Sequence, residues 1–142
     1  MKKLLLFSVL LISSIAFSQA GTEDALIQQL SNHDAYIVMV KTLSPRINSA
    51  AGDAIVKMGK SATAKLIPVL EEENKGIIAH FILSEIWKDR WEEAVCCDIV
   101  TDGTFEIMTV NGLEIFIKDN ELYAKPAELK KNQANWKKIT HV

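Results

Sequence analysis

The sequence predicts an α+β fold in which helical hairpins are followed by a small antiparallel β-meander and a C-terminal helix. Three observations predict it. Apolar residues recur at helical spacing up to about residue 93, and they alternate with polar residues from residue 94 onward. A proline at position 126 then opens a last helical pattern. We expect a single mature domain at 21–142, with a repeat-like helical half at 21–93 and the meander and helix at 94–142.

The first twenty residues are predicted to be a secretory signal peptide. Two lysines at 2–3 precede an uncharged, mostly apolar run at 4–17, and 18–20 read Ser-Gln-Ala, with small residues where signal peptidase cleaves. The apolar run extends about 21 Å as a helix, short of the roughly 30 Å of hydrocarbon that a spanning helix must cross. We therefore expect a periplasmic or secreted protein with no membrane span after cleavage. A retained N-terminal anchor is the alternative.

The charge balance argues against a nucleic-acid partner. Without the two leader lysines, the 16 basic residues become 14 against 18 acidic ones, which gives a net charge of −4. A general nucleic-acid binder needs a basic face to neutralise phosphates. We expect the partner to be another protein.

Three apolar stripes define the helical half. The first contains Ile47, Ala51, Ala54, Ile55 and Met58; the second contains Ala62, Ala64, Leu66, Ile67, Val69 and Leu70; the third contains Ile77, Ile78, Phe81, Ile82, Ile86 and Trp87. Gly59 stands where a left-handed cap is needed, and Ser61 can cap the second helix. Pro68 predicts a kink or an early end to that helix. The third helix is expected to begin at 74–76.

An internal repeat supports the helical hairpins. Residues 24–27 align with 53–56 at an offset of 29, and residues 32, 35 and 37–38 align with 61, 64 and 66–67 at the same offset. Each copy is expected to be a helical hairpin with a capping residue between its helices. The segment 34–43 is open between helix and buried strand, because its apolar run contains β-branched residues.

The segment from Ser49 to Trp87 resembles a HEAT-like α-helical repeat. The pattern is Ala-x-x-Ala-Ile-x-x-Met-Gly-Lys-x-Ala, then Leu-Ile-x-Val-Leu, an acidic turn at 71–73 and another helix. The resemblance implies a scaffold that binds other macromolecules on a groove or face, and it implies no particular reaction.

The second half predicts four strands and a helix. Strands are expected at 94–100, 104–110, 113–118 and 121–124, with turns at Asp102-Gly103, Asn111-Gly112 and Asp119-Asn120. Leu113, Ile115 and Ile117 share one face of their strand, and Glu114, Phe116 and Lys118 share the other. The final helix is expected at 127–139, with Leu129, Trp136 and Ile139 on its apolar side.

The cysteines are the main candidates for chemistry. Cys96 and Cys97 are neighbours, so their Cα atoms lie about 3.8 Å apart, below the roughly 4.4–6.8 Å of ordinary disulfides. Burial as a small hydrophobic residue, a vicinal or intermolecular disulfide, and thiol catalysis with His80 as base are all open. His80 is expected to be a satisfied helix histidine. No metal-binding or cofactor-binding motif occurs, so we expect neither group.

The tryptophans are the main candidates for binding. Trp87 and Trp91 are four residues apart and share a face if the helix runs that far, while Trp91 stands among charges beside Arg90. Trp91 could instead cover the junction between helices and sheet. We expect Trp91, Arg90 and Trp87 to form a binding face.

The leading functional hypothesis is an exported, non-enzymatic interaction module, of which an inhibitor or immunity-type protein is one version. The first alternative is a small thiol-dependent enzyme that uses Cys96 or Cys97 with His80. The second is an envelope structural protein that dimerises through its outward cysteine.

Overall fold

The structure, a computed structural model, describes residues 21–39, 43–90, 97–101 and 106–142. The predicted leader, Trp91 and Cys96 lie outside these residues. For Cys97, the structure describes only the backbone.

The described chain is a mixed α and β structure, which confirms the predicted fold class. The helices are α1 (21–28), α2 (Ala50–Met58), α3 (Thr63–Val69), α4 (Gly76–Ile86) and α5 (Pro126–Thr140). Single 3-10 turns lie at Asn32–Asp34, Gly59–Ala62 and Lys88–Arg90. No helix in the described ranges is both long and apolar enough to cross a membrane.

The strands form two antiparallel sheets. A hairpin pairs β1 (Ala35–Met39) with β2 (Leu43–Ile47). The second sheet has the order β3-β4-β5-β6, formed by Cys97–Thr101, Glu106–Val110, Leu113–Lys118 and Glu121–Tyr123. Strands that follow one another along the chain are neighbours in this sheet, so it is the predicted meander.

Within the segment 34–43, the described residues Ala35–Met39 form a strand and not a helix. Ala35 lies opposite Ile47 in the β1–β2 register, so the first copy of the 29-residue repeat is not a helical hairpin. The prediction that Ile47 belongs to a helix was wrong. The β-branched residues of β1 fit a pleated strand, and Pro45 has no N–H to donate to a helix but is tolerated in a short edge strand.

Three local predictions concerned the boundaries between helices. Gly59 ends α2 with a positive φ of 69°, but its ψ of −148° lies outside the left-handed helical region that we expected. Helix α3 ends one residue after Pro68. Ser61 does not cap α3, because it lies inside the 3-10 turn and its hydroxyl donates to the carbonyl of Met58 at 3.0 Å. The tight turn therefore joins α2 to α3 without a side-chain cap.

Helix α4 is the centre of the core. Every residue from Gly76 to Ser84 is buried, so the helix is covered on all sides rather than on one stripe. It packs against α2, α3 and the β1–β2 hairpin, and it reaches the second sheet through His80. A side chain at Gly76 would place its Cβ 2.6 Å from the carbonyl oxygen of Leu70 and 2.8 Å from Leu129, so glycine permits this close approach.

One side chain from outside α4 caps its N-terminus. The Asn32 side-chain oxygen accepts hydrogen bonds from the backbone N–H groups of Ile77 and Ile78 at 3.0 and 3.1 Å. Its side-chain nitrogen donates to the Glu73 carbonyl at 2.7 Å, and its backbone N–H donates to the Asn74 carbonyl at 2.8 Å. Asn32 thus satisfies two of the free amides of α4 and ties the 31–35 segment to the α3–α4 loop.

Replacing Asn32 with alanine is expected to lower the free energy of unfolding by about 2–3 kcal/mol, because both the cap and the loop contact are lost. Asn74→Ala is the matched control, since Asn74 contributes through its backbone carbonyl, and its cost should stay below about 0.5 kcal/mol. Urea unfolding followed by circular dichroism measures both. A loss below about 1 kcal/mol for Asn32→Ala would contradict the capping role.

Candidate functional site

His80 joins three elements in the core. It is fully buried on α4, and its Nε2 lies 2.7 Å from the carbonyl oxygen of Val110 in β4. The indole N–H of Trp136 in α5 donates to His80 Nδ1 at 2.8 Å, with the two rings arranged edge to face. The Val110 carbonyl can only accept and the Trp136 indole N–H can only donate. Nε2 of His80 therefore carries the proton, and Nδ1 is unprotonated. We call this arrangement the His80 clamp.

The His80 clamp keeps the imidazole neutral. Burial lowers the pKa of His80 to about 4, although the Val110 carbonyl acts in the opposite direction. Cys97 is the register partner of Val110, so the topology does bring the strand of the predicted thiol next to the residue that His80 binds. Both ring nitrogens of His80 are nevertheless engaged. A histidine held in this way is suited to joining helices to a sheet rather than to taking up protons.

The predicted tryptophan face is only partly described. Helix α4 ends at Ile86, and a 3-10 turn follows, so the helix does not continue to residue 91. Trp87 donates its indole N–H to the hydroxyl of Thr63 at 3.0 Å, and the Lys60 ammonium lies 4.4 Å from its ring centroid. Trp87 therefore connects the start of α3 to the end of α4. Arg90 is exposed at the same end of the molecule.

A row of apolar side chains crosses the outward face of the second sheet. Ile107, Phe116 and Tyr123 occupy directly opposed register positions on β4, β5 and β6, and Val100 holds the corresponding position on β3. Ile107 and Phe116 are half-buried, and Tyr123 is 49% exposed. The Lys125 ammonium lies 4.7 Å from the centroid of the Phe116 ring. We call Ile107, Phe116 and Tyr123 the aromatic row, after its two aromatic members.

The opposite face of the same sheet belongs to the core. Met108, Val110, Leu113 and Ile115 are almost completely buried there. Polar residues border the aromatic row on the outward face, with Thr109 and Glu114 on one side and Lys118 and Glu121 on the other. An apolar centre with a polar border is the arrangement found in protein–protein interfaces.

A polar groove adjoins the aromatic row at Tyr123. It lies between the 31–35 segment, the α3–α4 loop and the β5–β6 hairpin, and its volume is about 610 Å³. Its acidic lining residues are Glu73, Asp119 and Glu121, and His33 also lines it. Among the described residues that line it, none is a lysine or an arginine. We call this cavity the acidic groove.

Glu121 connects the acidic groove to the aromatic row. Its carboxylate accepts a hydrogen bond from the Tyr123 hydroxyl at 2.7 Å, and its other oxygen lies 3.5 Å from His33 Nδ1. The hydrogen bond to Glu121 raises the pKa of Tyr123 above its ordinary value. Tyr123 therefore presents its ring beside the carboxylates of Glu121 and Asp119.

No cluster of three or more histidine, cysteine or acidic side chains that could hold a metal ion occurs in the part of the chain that the structure describes. Comparison with protein-family models, with curated proteins and with solved structures finds no match.

The aromatic row was not among the predicted site residues, although the turns of the sequence indicate it. The two-residue turns at 111–112 and 119–120 fix the register, and this register places residue 107 opposite 116 and residue 116 opposite 123. The acidic groove had no such signal, because its walls come from three segments that are distant in sequence.

Proposed function

We propose that this chain is an exported, non-enzymatic module that binds another protein through the outward face of its four-stranded sheet. The observation that carries the proposal is the aromatic row, whose members are aligned across three strands and retain exposure on the face away from the core. Exposed aromatic residues in a polar surround supply much of the binding energy in protein interfaces. Export is part of the proposal and rests on the leader pattern at 1–20.

The helical half would act as the scaffold that holds this face. Helices α2 and α3 both pack against α4, and a HEAT-like organisation of residues 49–87 stays part of the proposal. An inhibitor or immunity-type protein is one specific version of this function, since such a protein needs a rigid binding face.

Site-specific photocrosslinking tests the proposal. The photoreactive residue p-benzoylphenylalanine is placed at exposed positions 109 and 123 on the outward face, and at exposed position 130 on α5 as the control. In the cell that produces the protein, we expect one adduct of the same mass from 109 and 123, and none from 130. Once the partner found by crosslinking has been purified, the Tyr123→Ala variant of this chain should bind it at least about tenfold more weakly than the unsubstituted chain does.

Two results would contradict the proposal. One is the absence of a discrete adduct from either outward position. The other is an adduct formed only from a probe at position 90, which would move the binding site to the predicted face of Trp87, Arg90 and Trp91.

A further inference from the structure

We infer that the acidic groove receives a lysine or arginine side chain of the protein that docks on the aromatic row. This inference rests on the proposed function and names the chemistry of the partner. The two surfaces are continuous, because Tyr123 belongs to the aromatic row and also lines the groove. A protein segment that lies across the row therefore continues directly into the groove.

The charge of the lining favours a cation. Glu73, Asp119 and Glu121 face the groove, and His33 beside Glu121 is the basic group within its described lining. Lys118 lies opposite Glu121 in the β5–β6 register, so one positive charge borders the groove and offsets part of the acidic field. The carboxylates still outnumber the permanent cations, and carboxylates beside an aromatic ring can bind a cation by both charge and cation–π attraction.

An anionic occupant is disfavoured by the way α4 is capped. The N-terminus of a helix attracts anions when its free N–H groups point at the ligand. Here the N–H groups of Ile77 and Ile78 already donate to Asn32, which itself lines the groove. The positive end of α4 is therefore occupied by a neutral side chain, and the groove presents carboxylates in its place.

The dimensions also fit a long side chain. A volume of about 610 Å³ falls within the roughly 300–1,000 Å³ typical of ligand pockets. It can hold one extended cationic side chain with the water that accompanies it. The walls are partly preformed, because Asn32 fixes the 31–35 segment to the α3–α4 loop and the hydrogen bond from Tyr123 fixes the Glu121 carboxylate.

A pair of synthetic peptides tests the inference. The first is an eight-residue peptide that alternates valine and arginine, and its twin carries glutamate in place of arginine. Each is titrated into the ¹⁵N-labelled mature chain at low salt. We expect the arginine peptide to shift the amide signals of 31–35 and 119–123 in a saturable way, with an affinity at least about tenfold higher than that of its twin.

Variants in which carboxylates are replaced by amides test whether the arginine peptide binds at the groove. The double variant Glu73→Gln with Asp119→Asn should reduce affinity for the arginine peptide about tenfold, and asparagine suits the positive φ of 53° at position 119. Asp53→Asn with Glu71→Gln removes the same charge at exposed positions that do not line the groove, and it should change the affinity less than about twofold.

Equal affinity for the two peptides, or the absence of saturable shifts in the groove, would overturn the inference. Equal losses in the two double variants would do the same, since they would reflect net charge alone. The proposed function is judged separately, because crosslinking at position 109 uses a residue of the outward face that does not line the groove. A chain that crosslinks there but binds both peptides alike keeps the proposed function and loses this inference.

Discussion

Replacing His80 with alanine is expected to destabilise the fold by about 3–5 kcal/mol. The substitution removes a ring that is fully buried between α4, β4 and α5. It leaves a cavity, and it leaves the Val110 carbonyl and the Trp136 indole N–H without the partners that they have now. Cavity formation and unsatisfied buried polar groups are among the largest single-residue effects in proteins.

Two further variants separate the contributions to this loss. His80→Phe keeps an aromatic ring in the core, slightly larger than imidazole, but removes both hydrogen bonds, so it should cost about 2–3 kcal/mol. Trp136→Phe removes the donor to Nδ1 and leaves the contact with Val110 in place, so it should cost less than His80→Ala. Denaturant unfolding measures all three. A cost below about 1 kcal/mol for His80→Ala would show that the His80 clamp does not hold the helices to the sheet.

Acid is expected to weaken the fold through the same residue. The pKa of His80 is lowered from an ordinary 6.5 to about 4 in the folded protein, chiefly by burial. Between these values the unfolded chain binds a proton that the folded chain does not. The unfolded state is therefore favoured progressively as the pH falls from 6.5 towards 4. Since each pKa unit corresponds to about 1.4 kcal/mol, the loss at pH 4 is about 3 kcal/mol relative to pH 7.

The measurement is the urea midpoint at several pH values between 7 and 4, compared with that of His80→Phe. The variant lacks the titrating group, so its stability should vary much less over the upper part of this range, above the ordinary pKa of carboxylates. Unchanged stability of the unsubstituted protein between pH 7 and pH 4.5 would mean that His80 is protonated within the fold. This result would show that burial does not hold the imidazole neutral in acid.

Local signals predicted the second half of the fold well. The Asn111-Gly112 and Asp119-Asn120 turns lie between the expected strands, and all four residues have the positive φ angles that such tight turns require. Pro126 begins α5, as expected from its fixed φ and missing N–H. These features depend on two to four neighbouring residues, which is why the sequence alone could indicate them.

Long-range contacts explain what the sequence did not predict. The N-terminus of α4 is capped by Asn32, more than forty residues away, and no local pattern indicates such a cap. The apolar spacing that assigned Ile47 to a helix was overridden by pairing with Ala35 in the β1–β2 hairpin. The satisfied histidine expected at position 80 is present, but its partners come from β4 and α5. The aromatic row and the acidic groove likewise depend on tertiary placement.

Hydrogen–deuterium exchange tests the central claim most directly. Exchange is measured on the mature chain alone and in complex with the protein that crosslinks at position 123. We predict that binding protects the amides of 113–123, with additional protection at 31–35 where the acidic groove adjoins the aromatic row. Protection confined to residues around 87–90, with β5 and β6 unchanged, would contradict the assignment of the binding face to the sheet.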